Sequence, residues 1–317
     1  MESGQLRKLN LCYAGIQSLY WAGFAAIWAF LSVLLLYRGF SNSQIGTVSA
    51  LALLMPLAVQ PVLASLADRD RRFTSRRLAM ALTGLLLLCA VGLWCSAGSM
   101  AVTAALYVLV GISLTATAPF HSAMAMELQQ HGVALNYGLS RGLGSACYAA
   151  SVLVLGVVVE RYAPTAVLPV FAGEMLLLLL LTWRFRASPT AEAAAGSSPV
   201  LSVGQVLRRY PAYTWLLVGC ALLMACHSAT CTYMIHIVGK VGGSESMMGS
   251  ALAVAAFLEL PAMGLFSRMR RKVPLVWLLI FCAVFFVIRA GLFWAARSVP
   301  VLYLAAALDF FEYGIFI

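Results

Sequence analysis

The chain has 317 residues, of which 62% are hydrophobic and only 10% are charged, with a formal net charge of +10. Its mean hydropathy is +0.92. A soluble globular domain carries roughly a quarter charged residues and about half apolar ones. Because the deficit of charge extends along the whole chain, the composition excludes a soluble domain held by one anchor and predicts a polytopic membrane protein.

Apolar stretches long enough to cross a bilayer recur along the chain. A helix needs about 20 residues to span the hydrocarbon layer, and runs such as GEMLLLLLLTW (173–183) lack the alternating polarity of a barrel strand. Because lipid offers an open backbone no hydrogen-bond partner, the stretches are predicted to be helices of an all-α protein. The ten predicted spans are 11–37, 44–67, 78–97, 100–126, 137–159, 163–183, 212–237, 246–267, 274–296 and 299–317.

The placement of Lys and Arg predicts the orientation. Cytoplasmic loops of membrane proteins carry an excess of these residues. With the N-terminus in the cytoplasm, fifteen of the 21 lie in cytoplasmic stretches and four in external ones, while Arg141 and Arg289 lie inside spans. This asymmetry accounts for the net charge without a nucleic-acid partner, and we expect an integral protein of a bacterial-type inner membrane.

The spans fall into a group of six and a group of four. We expect an N-terminal bundle (1–184), a cytoplasmic linker (185–211) rich in Ala, Ser, Pro and Gly, and a C-terminal bundle (212–317). Two halves around a central loop are typical of transporters built from repeats. A second half that matched the first would need two more helices, so we expect the C-terminal bundle to be incomplete.

The motifs of most enzymes and cofactor sites are absent from the sequence. The eight cysteines lie in or beside apolar spans without a C-x-x-C pair, and no His, Cys and carboxylate cluster has the spacing of metal ligands. No G-x-S-x-G elbow or phosphate-binding loop occurs either. We therefore expect no catalytic activity, metal or cofactor.

Charged residues inside the predicted spans are the candidate functional groups. A charge at the centre of a spanning helix costs roughly 2.5–3.5 kcal/mol and normally faces a partner or a wet cavity. The candidates are Arg141, Glu174, Glu259, Arg289, Asp309 and Glu312, with His227 as a titratable neighbour. At roughly 1.5 Å per helical residue, Arg289 lies about 10 Å from the external end of its span. On the same scale His227 and Asp309 lie about 15 Å deep, and Glu259 and Glu312 about 20 Å.

These depths predict two polar layers in the second half. Arg289 can reach Asp309 or His227 by side-chain length. In the deeper layer, either Glu259 or Glu312 can hold a proton, because two close carboxylates oppose each other's ionisation. Asp309 and Glu312 are three residues apart and so share one helix face. Static ion pairs that lock the helices together are the alternative to a role in transport.

Arg141 and Glu127 lie near the inner ends of consecutive spans in the first half. Two alternatives are open: an interfacial ion pair, or separate side chains that extend to the membrane surface. The surrounding segment NYGLSRGLGSACYA (136–149) also places small residues four apart, a spacing that lets helices approach closely.

Several segments together resemble a known family. GFSNSQIGTVSALALLMPLAVQPVLASLADRDRR (39–72) is similar to the second helix and basic loop of the major facilitator superfamily. NYGLSRGLGSACYAASVLVLG (136–156) resembles the helix-five signature of the lactose permease and phenylpropionate permease branch of proton symporters. CHSATCTYMIHIV (226–238) and AFLELPAMGLFSRM (256–269) are similar to its seventh and eighth helices. The resemblance implies a major facilitator fold.

The resemblance also implies roles for the polar residues of the second half. The segment from Arg289 to Glu312 resembles helices nine and ten of the branch without a gap. Arg289 then corresponds to the arginine that assists deprotonation and Glu312 to the proton-carrying glutamate. Asp309 stands where the branch has histidine, so the network should be wired differently. The implied proton-coupling set is Glu312, Arg289, Asp309, Glu259 and His227.

In the first half, the resemblance implies a substrate site. Arg141 corresponds to the substrate-binding arginine, Tyr148 to the tryptophan that stacks on a sugar ring, and Ser145 to a cysteine beside the substrate. The acidic partner of this arginine on the fourth helix is not reproduced, and Ser122 or Glu127 is the nearest candidate.

The resulting hypothesis is a secondary active transporter that couples proton entry to uptake of a small organic solute: a sugar, an aromatic acid or a nucleoside. Its expected partners are that solute, protons and the lipid bilayer; the sequence does not indicate an oligomeric state. The alternative is a truncated family member that does not transport and acts as a sensor or assembly partner.

Overall fold

The computed structural model describes residues 3–69, 72–96, 98–130, 132–133, 135–185 and 203–316. Residues 3–185 form the first half of the fold. Its helices are α1 (Ser3–Phe24), a π-helical turn (Ala25–Ala29), α2 (Leu31–Tyr37), α3 (Asn42–Leu54), α4 (Pro56–Arg69), α5 (Ser75–Cys95), α6 (Met100–Gln130), α7 (Tyr137–Arg161), a 3₁₀ turn (Pro164–Ala166) and α8 (Val167–Arg184).

The second half begins at residue 203. Its helices are α9 (Val203–Arg209), α10 (Pro211–Thr232), α11 (Met234–Lys240), α12 (Glu245–Lys272), α13 (Leu275–Ala295), α14 (Val299–Ala307), a 3₁₀ turn (Leu308–Phe310) and α15 (Tyr313–Phe316). Most of the predicted linker, residues 186–202, lies outside the described residues, and its last part forms α9.

The all-α polytopic fold class is confirmed. Within the described ranges, eight helices are long and apolar enough to cross a membrane, and up to ten if each bent pair forms one span. Large apolar side chains such as Leu57, Trp215 and Trp294 are exposed. Extended apolar surface of this kind is what a protein offers to lipid.

Four predicted spans are interrupted, the second of them at Met55, between α3 and α4. The first bends by 41° between Ala29 and Leu31, after a π-helical turn whose extra residue per turn breaks the regular hydrogen-bond ladder. The seventh is divided at Tyr233, and the tenth passes through the 3₁₀ turn at Leu308–Phe310. Composition locates a span, but these breaks depend on local backbone bonding that hydropathy does not report.

The first half packs as a bundle around a large apolar core. Helix α1 contacts α7 and α8, α5 contacts α6 and α8, and α3 contacts α6. Buried tyrosines satisfy their polar ends on the neighbouring helix: Tyr13 donates to the His121 carbonyl oxygen at 3.0 Å, and Tyr20 to that of Leu114 at 3.0 Å. Buried hydroxyl groups that find such partners fix the register between helices.

The two halves meet along α7 and α12, which pack closely together. A Cβ atom added to Gly156 would lie 2.9 Å from the Glu245 carbonyl oxygen and 3.1 Å from Gly249 Cα, so the two backbones touch. Only glycine allows this approach at the crossing. The crossing therefore sets the distance between α7 and α12, and with it the position of the two halves relative to each other.

Hydrogen bonds also join the halves at the end of the bundle that is predicted to be external. Glu160 Oε2 accepts from the Ser244 hydroxyl at 3.0 Å and from the Ser246 amide at 3.1 Å, and so caps α12 from the other half. Tyr233 donates to the Asn42 carbonyl oxygen at 3.0 Å, while His236 Nε2 lies 2.7 Å from Asn42 Oδ1. We call these contacts the external latch.

Candidate functional site

A cavity of about 200 Å³ lies between the two halves. It is bordered by α1, α3 and α7 on one side and by α10, α12, α13, the 3₁₀ turn and α15 on the other. Seven of the ten predicted site residues line it: Arg141, Ser145, Tyr148, His227, Glu259, Arg289 and Asp309. The cavity therefore brings together polar groups that are far apart in sequence.

The wall from the first half combines one cation with aromatic rings. Arg141 Nη1 donates to Ser145 Oγ at 2.8 Å, one turn further along α7. The Arg141 guanidinium carbon lies 4.0 Å from the ring centroid of Trp21, within the range of a cation–π contact. Phe24 connects the rings, with centroid distances of 5.4 Å to Trp21, 6.0 Å to Trp28 and 6.4 Å to Tyr148.

The wall from the second half contains a buried ion-pair cluster. Arg289 Nη1 lies 2.6 Å from Asp309 Oδ1 and 2.9 Å from Glu312 Oε1, and Arg289 Nε donates to the Ala305 carbonyl oxygen at 3.2 Å. All three charged side chains are at most 3% exposed. In surroundings of low dielectric, such charges persist only where they are paired.

His227 lines the cavity and contacts two members of this cluster. Its Nδ1 is 3.3 Å from Glu312 Oε1 and 3.4 Å from Arg289 Nη1, and its Nε2 is 3.5 Å from Cys231 Sγ. The ring stacks on Tyr313 with centroids 4.5 Å apart and planes 11° apart. Contacts on both edges and one face hold the imidazole in a defined orientation.

Glu259 lies on α12, across the cavity from Arg141. Its carboxyl group interacts electrostatically with Asp309, His227 and Arg141. The halves thus place a basic and an acidic side chain on facing walls, and the Glu259 carboxyl group interacts with Asp309 of the cluster. A solute in the cavity would meet both walls at once.

The predicted division of the second half into two layers differs from the structure. Arg289 Nη1 contacts Asp309 and Glu312 together, so the groups expected at different depths form one cluster. The depth scale assumed an uninterrupted α-helix. The 3₁₀ turn over Leu308–Phe310 changes the rise and the angular spacing between the two acids.

Glu312, Ser122 and Glu127 are the predicted site residues that do not line the cavity. Glu312 is buried behind His227 and Arg289. Ser122 Oγ lies 3.2 Å from the Tyr137 hydroxyl. Glu127 Oε1 accepts from Ser75 Oγ at 2.5 Å, at the first turn of α5. The structure therefore brings neither Ser122 nor Glu127 to Arg141, which instead contacts Ser145 and Trp21.

Sequence reasoning missed the aromatic wall. Trp21, Phe24 and Trp28 are spaced by three and four residues, which places them on one face of a helix. That spacing was available as a signal, but aromatic residues in a span are typical of helix packing and lipid contact. Tyr313 and Cys231, the neighbours of His227, carried no comparable signal because their role depends on contacts between helices.

Three ligand-type side chains meet within the cluster. Ligand atoms of His227, Asp309 and Glu312 lie within 4.8 Å of one another, a grouping that the sequence spacing did not reveal. Arg289 Nη1 lies in contact with both carboxylates and within 3.4 Å of the imidazole. The guanidinium group supplies the positive charge that a metal ion would otherwise bring to these acids.

The chain is similar in sequence to a known permease. The chain is 28% identical over 262 residues to a maltose permease from Geobacillus stearothermophilus, covering 82% of the chain and 64% of the permease. The chain thus spans less than two thirds of that relative's length.

Solved structures reproduce the fold at low sequence identity. The nucleoside transporter NupG in its D323A form superimposes with a TM-score of 0.81 at 13% identity, over 97% of this chain and 80% of that chain. A D-xylose–proton symporter gives 0.66 at 14% identity, over 96% and 80%. A bacterial homologue of the human lysosomal transporter Spinster, in an inward-facing and unoccupied conformation, gives 0.65 at 15% identity, over 99% and 74%.

The family comparison covers nearly the whole chain. The MFS_1-like family matches residues 10–316, from within α1 to the end of α15. This match confirms the resemblance to the major facilitator superfamily that the sequence segments indicated. The chain belongs to the MFS_1-like family.

Proposed function

We propose that the protein is a secondary active transporter, which couples proton entry to the uptake of a small organic solute by alternating access. One observation carries the proposal: Arg141 and Glu259, from different halves, border one cavity that also reaches a buried cluster of one arginine and two carboxyl groups. A site shared between two bundles can be exposed to either side when the bundles rock about it.

The proposed solute site is the wall around Arg141. Its guanidinium N–H groups would bind solute oxygen atoms, and the rings of Trp21 and Tyr148 would contact a flat or ring-shaped solute. A sugar, a nucleoside and an aromatic acid all have these features. The similar proteins include a maltose permease, a nucleoside transporter and a D-xylose–proton symporter, which supports sugars and nucleosides as the first solutes to test.

The proposed proton site is Glu312, with Arg289, Asp309, Glu259 and His227 around it. When Glu312 is ionised it holds Arg289 through the contact at 2.9 Å. Protonation would remove that charge, so that Arg289 would pair with Asp309 only. The attraction between α13 and the segment that follows α14 would then be weaker. This change in pairing would trigger the switch, since it alters the relative stability of two conformations.

The test compares the wild-type chain with Glu312→Gln in proteoliposomes, after a screen of candidate solutes for proton flux. We expect the variant to lose uphill uptake driven by a proton gradient, because glutamine cannot bind and release the proton. Exchange of labelled for unlabelled solute should persist, since exchange requires no net proton movement. Glu174→Gln is the matched control: it neutralises a partly buried carboxyl group on α8 that does not line the cavity.

Two outcomes would reject parts of the proposal. Uphill accumulation by Glu312→Gln at the wild-type level would exclude Glu312 as the proton carrier. A wild-type chain that gives no proton-linked uptake of any solute in the screen, while correctly inserted, would favour the non-transporting alternative.

We further propose insertion in a bacterial-type cytoplasmic membrane, with the N-terminus in the cytoplasm.

A further inference from the structure

Glu312 is shielded from the cavity. Its side chain is 2% exposed, and it does not line the space between the halves. Its Oε1 is shared between Arg289 and His227, and its Oε2 is buried without a partner among the described residues. A group that binds protons from water needs a route to water, so a neighbouring side chain must supply one.

Among the described residues, the Glu312 side chain contacts the side chains of Arg289 and His227. Both of these line the cavity. Arginine stays protonated in proteins and cannot pass a proton on. Imidazole can do so, because it has two nitrogen atoms that accept and donate at pH values near neutrality.

We infer that His227 is the proton relay between the cavity and Glu312. This inference rests on the proposed proton coupling and specifies its route. An ionised Glu312 Oε1 can only accept, so its contact with Nδ1 at 3.3 Å requires the hydrogen atom on Nδ1, and Nε2 then accepts from the Cys231 thiol at 3.5 Å. Nδ1–H then points to Glu312 Oε1 at 3.3 Å.

The transfer balances in protons and charge. A hydronium ion in the cavity gives its proton to Nε2 and becomes water, while Nδ1–H passes its proton to Glu312 Oε1. The ring is neutral before and after, and Glu312 changes from carboxylate to carboxylic acid. Release runs in reverse, from Glu312 to Nδ1 and from Nε2–H to water, and restores the starting tautomer.

The surroundings of the ring fit a relay. Tyr313 stacks on one face, and Phe286 approaches edge-on with a centroid distance of 6.4 Å. The charged groups that act on the ring are Glu312, Arg289, Asp309 and Glu259, from α12, α13 and the segment after α14. Arg289 and the acids thus act on the ring from both signs of charge.

The alternative route passes through Asp309. This residue lines the cavity, and its carboxyl oxygen lies within 4.8 Å of a Glu312 oxygen. Arg289 Nη1 contacts both acids. A direct transfer would compete with these two ion pairs, whereas His227 is already in contact with Glu312.

The experiment follows Glu312 itself rather than the solute. After a rapid drop in pH, time-resolved infrared spectroscopy of the full chain in lipid records the carboxylic-acid C=O band that Glu312→Gln removes. We expect His227→Gln and His227→Ala to slow the rise of this band at least tenfold while keeping most of its final amplitude. Imidazole added at millimolar concentration should raise the rate in His227→Ala at least fivefold and leave His227→Gln unchanged.

A histidine with a merely structural role would not give rescue by free imidazole. A band that rises within twofold of the wild-type rate in both variants would overturn the relay, and so would slowed kinetics that imidazole does not raise. If the band rises at the wild-type rate in His227→Gln and tenfold more slowly in Asp309→Asn, the proton reaches Glu312 directly from Asp309 instead. The infrared band does not depend on transport. If the chain moves no solute, the proposed function is rejected, and the kinetics of the band still show whether His227 relays the proton.

Discussion

Arg289 holds the charged groups of the second half together. It is 2% exposed, and one of its nitrogen atoms contacts two acids that come from different turns of the segment after α14. The guanidinium group also donates to the Ala305 carbonyl oxygen, which fixes the end of α14. A lysine would supply one point charge in place of this fork of donors. The ion cluster therefore has a structural function in addition to the proposed one.

Replacement of this arginine should destabilise the protein. Arg289→Gln would leave Asp309 and Glu312 buried without their cation, and breaking a buried pair in this way costs about 3–5 kcal/mol. We expect a clear drop in the thermal unfolding temperature in detergent at neutral pH, measured by a thiol-reactive or tryptophan fluorescence assay.

The double variant Arg289→Gln/Asp309→Asn is the matched control, because it removes one negative charge together with the positive one. It should recover a large part of the lost stability. An unfolding temperature of Arg289→Gln equal to that of the wild type would mean that the acids are already protonated, and that the ion pairs do not hold the helices together.

Side-chain chemistry at the site was largely predictable, whereas its connectivity was not. The rarity of charge in spans identified Arg141, Glu259, Arg289, Asp309 and Glu312 from the sequence, and seven of the ten predicted residues border the cavity. Depth counting could not show that Arg289 joins both acids or that Glu127 pairs with Ser75. Those pairings depend on helix rotation and on the 3₁₀ turn, which hydropathy does not encode.

At the scale of the helices, the spans were predictable and their contacts across the halves were not. Long apolar runs are set by the thickness of the bilayer, so their positions follow from composition. The crossing of α7 and α12 at Gly156 and Gly249 requires knowledge of two distant segments at once. The same is true of the external latch, where a glutamate that ends one span caps the start of another.

The latch makes Glu160 the residue to test for the direction in which the cavity opens. Its carboxylate satisfies an amide of the first turn of α12, and a helix cap of this kind contributes about 1 kcal/mol. Glu160→Ala should therefore shift the equilibrium toward conformations open at this end by roughly fivefold, since 1.4 kcal/mol corresponds to about tenfold.

The reactivity of Cys231 measures that shift, because this cysteine lines the cavity. We expect a membrane-impermeant thiol reagent, added from outside to intact cells, to label Cys231 about fivefold faster in Glu160→Ala, as read by peptide mass spectrometry. Glu245→Ala also removes one negative charge beside the start of α12, but it keeps both Glu160 contacts. Cys231 of this variant should therefore be labelled at the wild-type rate. Equal labelling in both variants at the wild-type rate would mean that the latch does not hold this end closed.

At the scale of the whole molecule, the basic residues and the external latch lie at opposite ends of the helix bundle. The basic residues cluster beside the turns α4–α5, α8–α10 and α12–α13, which lie at one end of the bundle, and the latch lies at the other. The positive-inside rule predicts that the basic end lies in the cytoplasm. In that orientation the latch would close the external side, and the cavity would exchange with the cytoplasm.

Reporter fusions test this orientation directly. A green fluorescent protein fused after residue 195, in the predicted linker, should fluoresce, and alkaline phosphatase at the same position should be inactive, because that reporter matures only outside the cytoplasm. Fusions after Arg297, between α13 and α14, should give the opposite pair of signals. The reverse pattern at both positions would place the N-terminus outside and turn the latch toward the cytoplasm. The proposed uptake would then have to begin from the latched side, and the labelling expected for Glu160→Ala would appear only with a reagent that enters the cell.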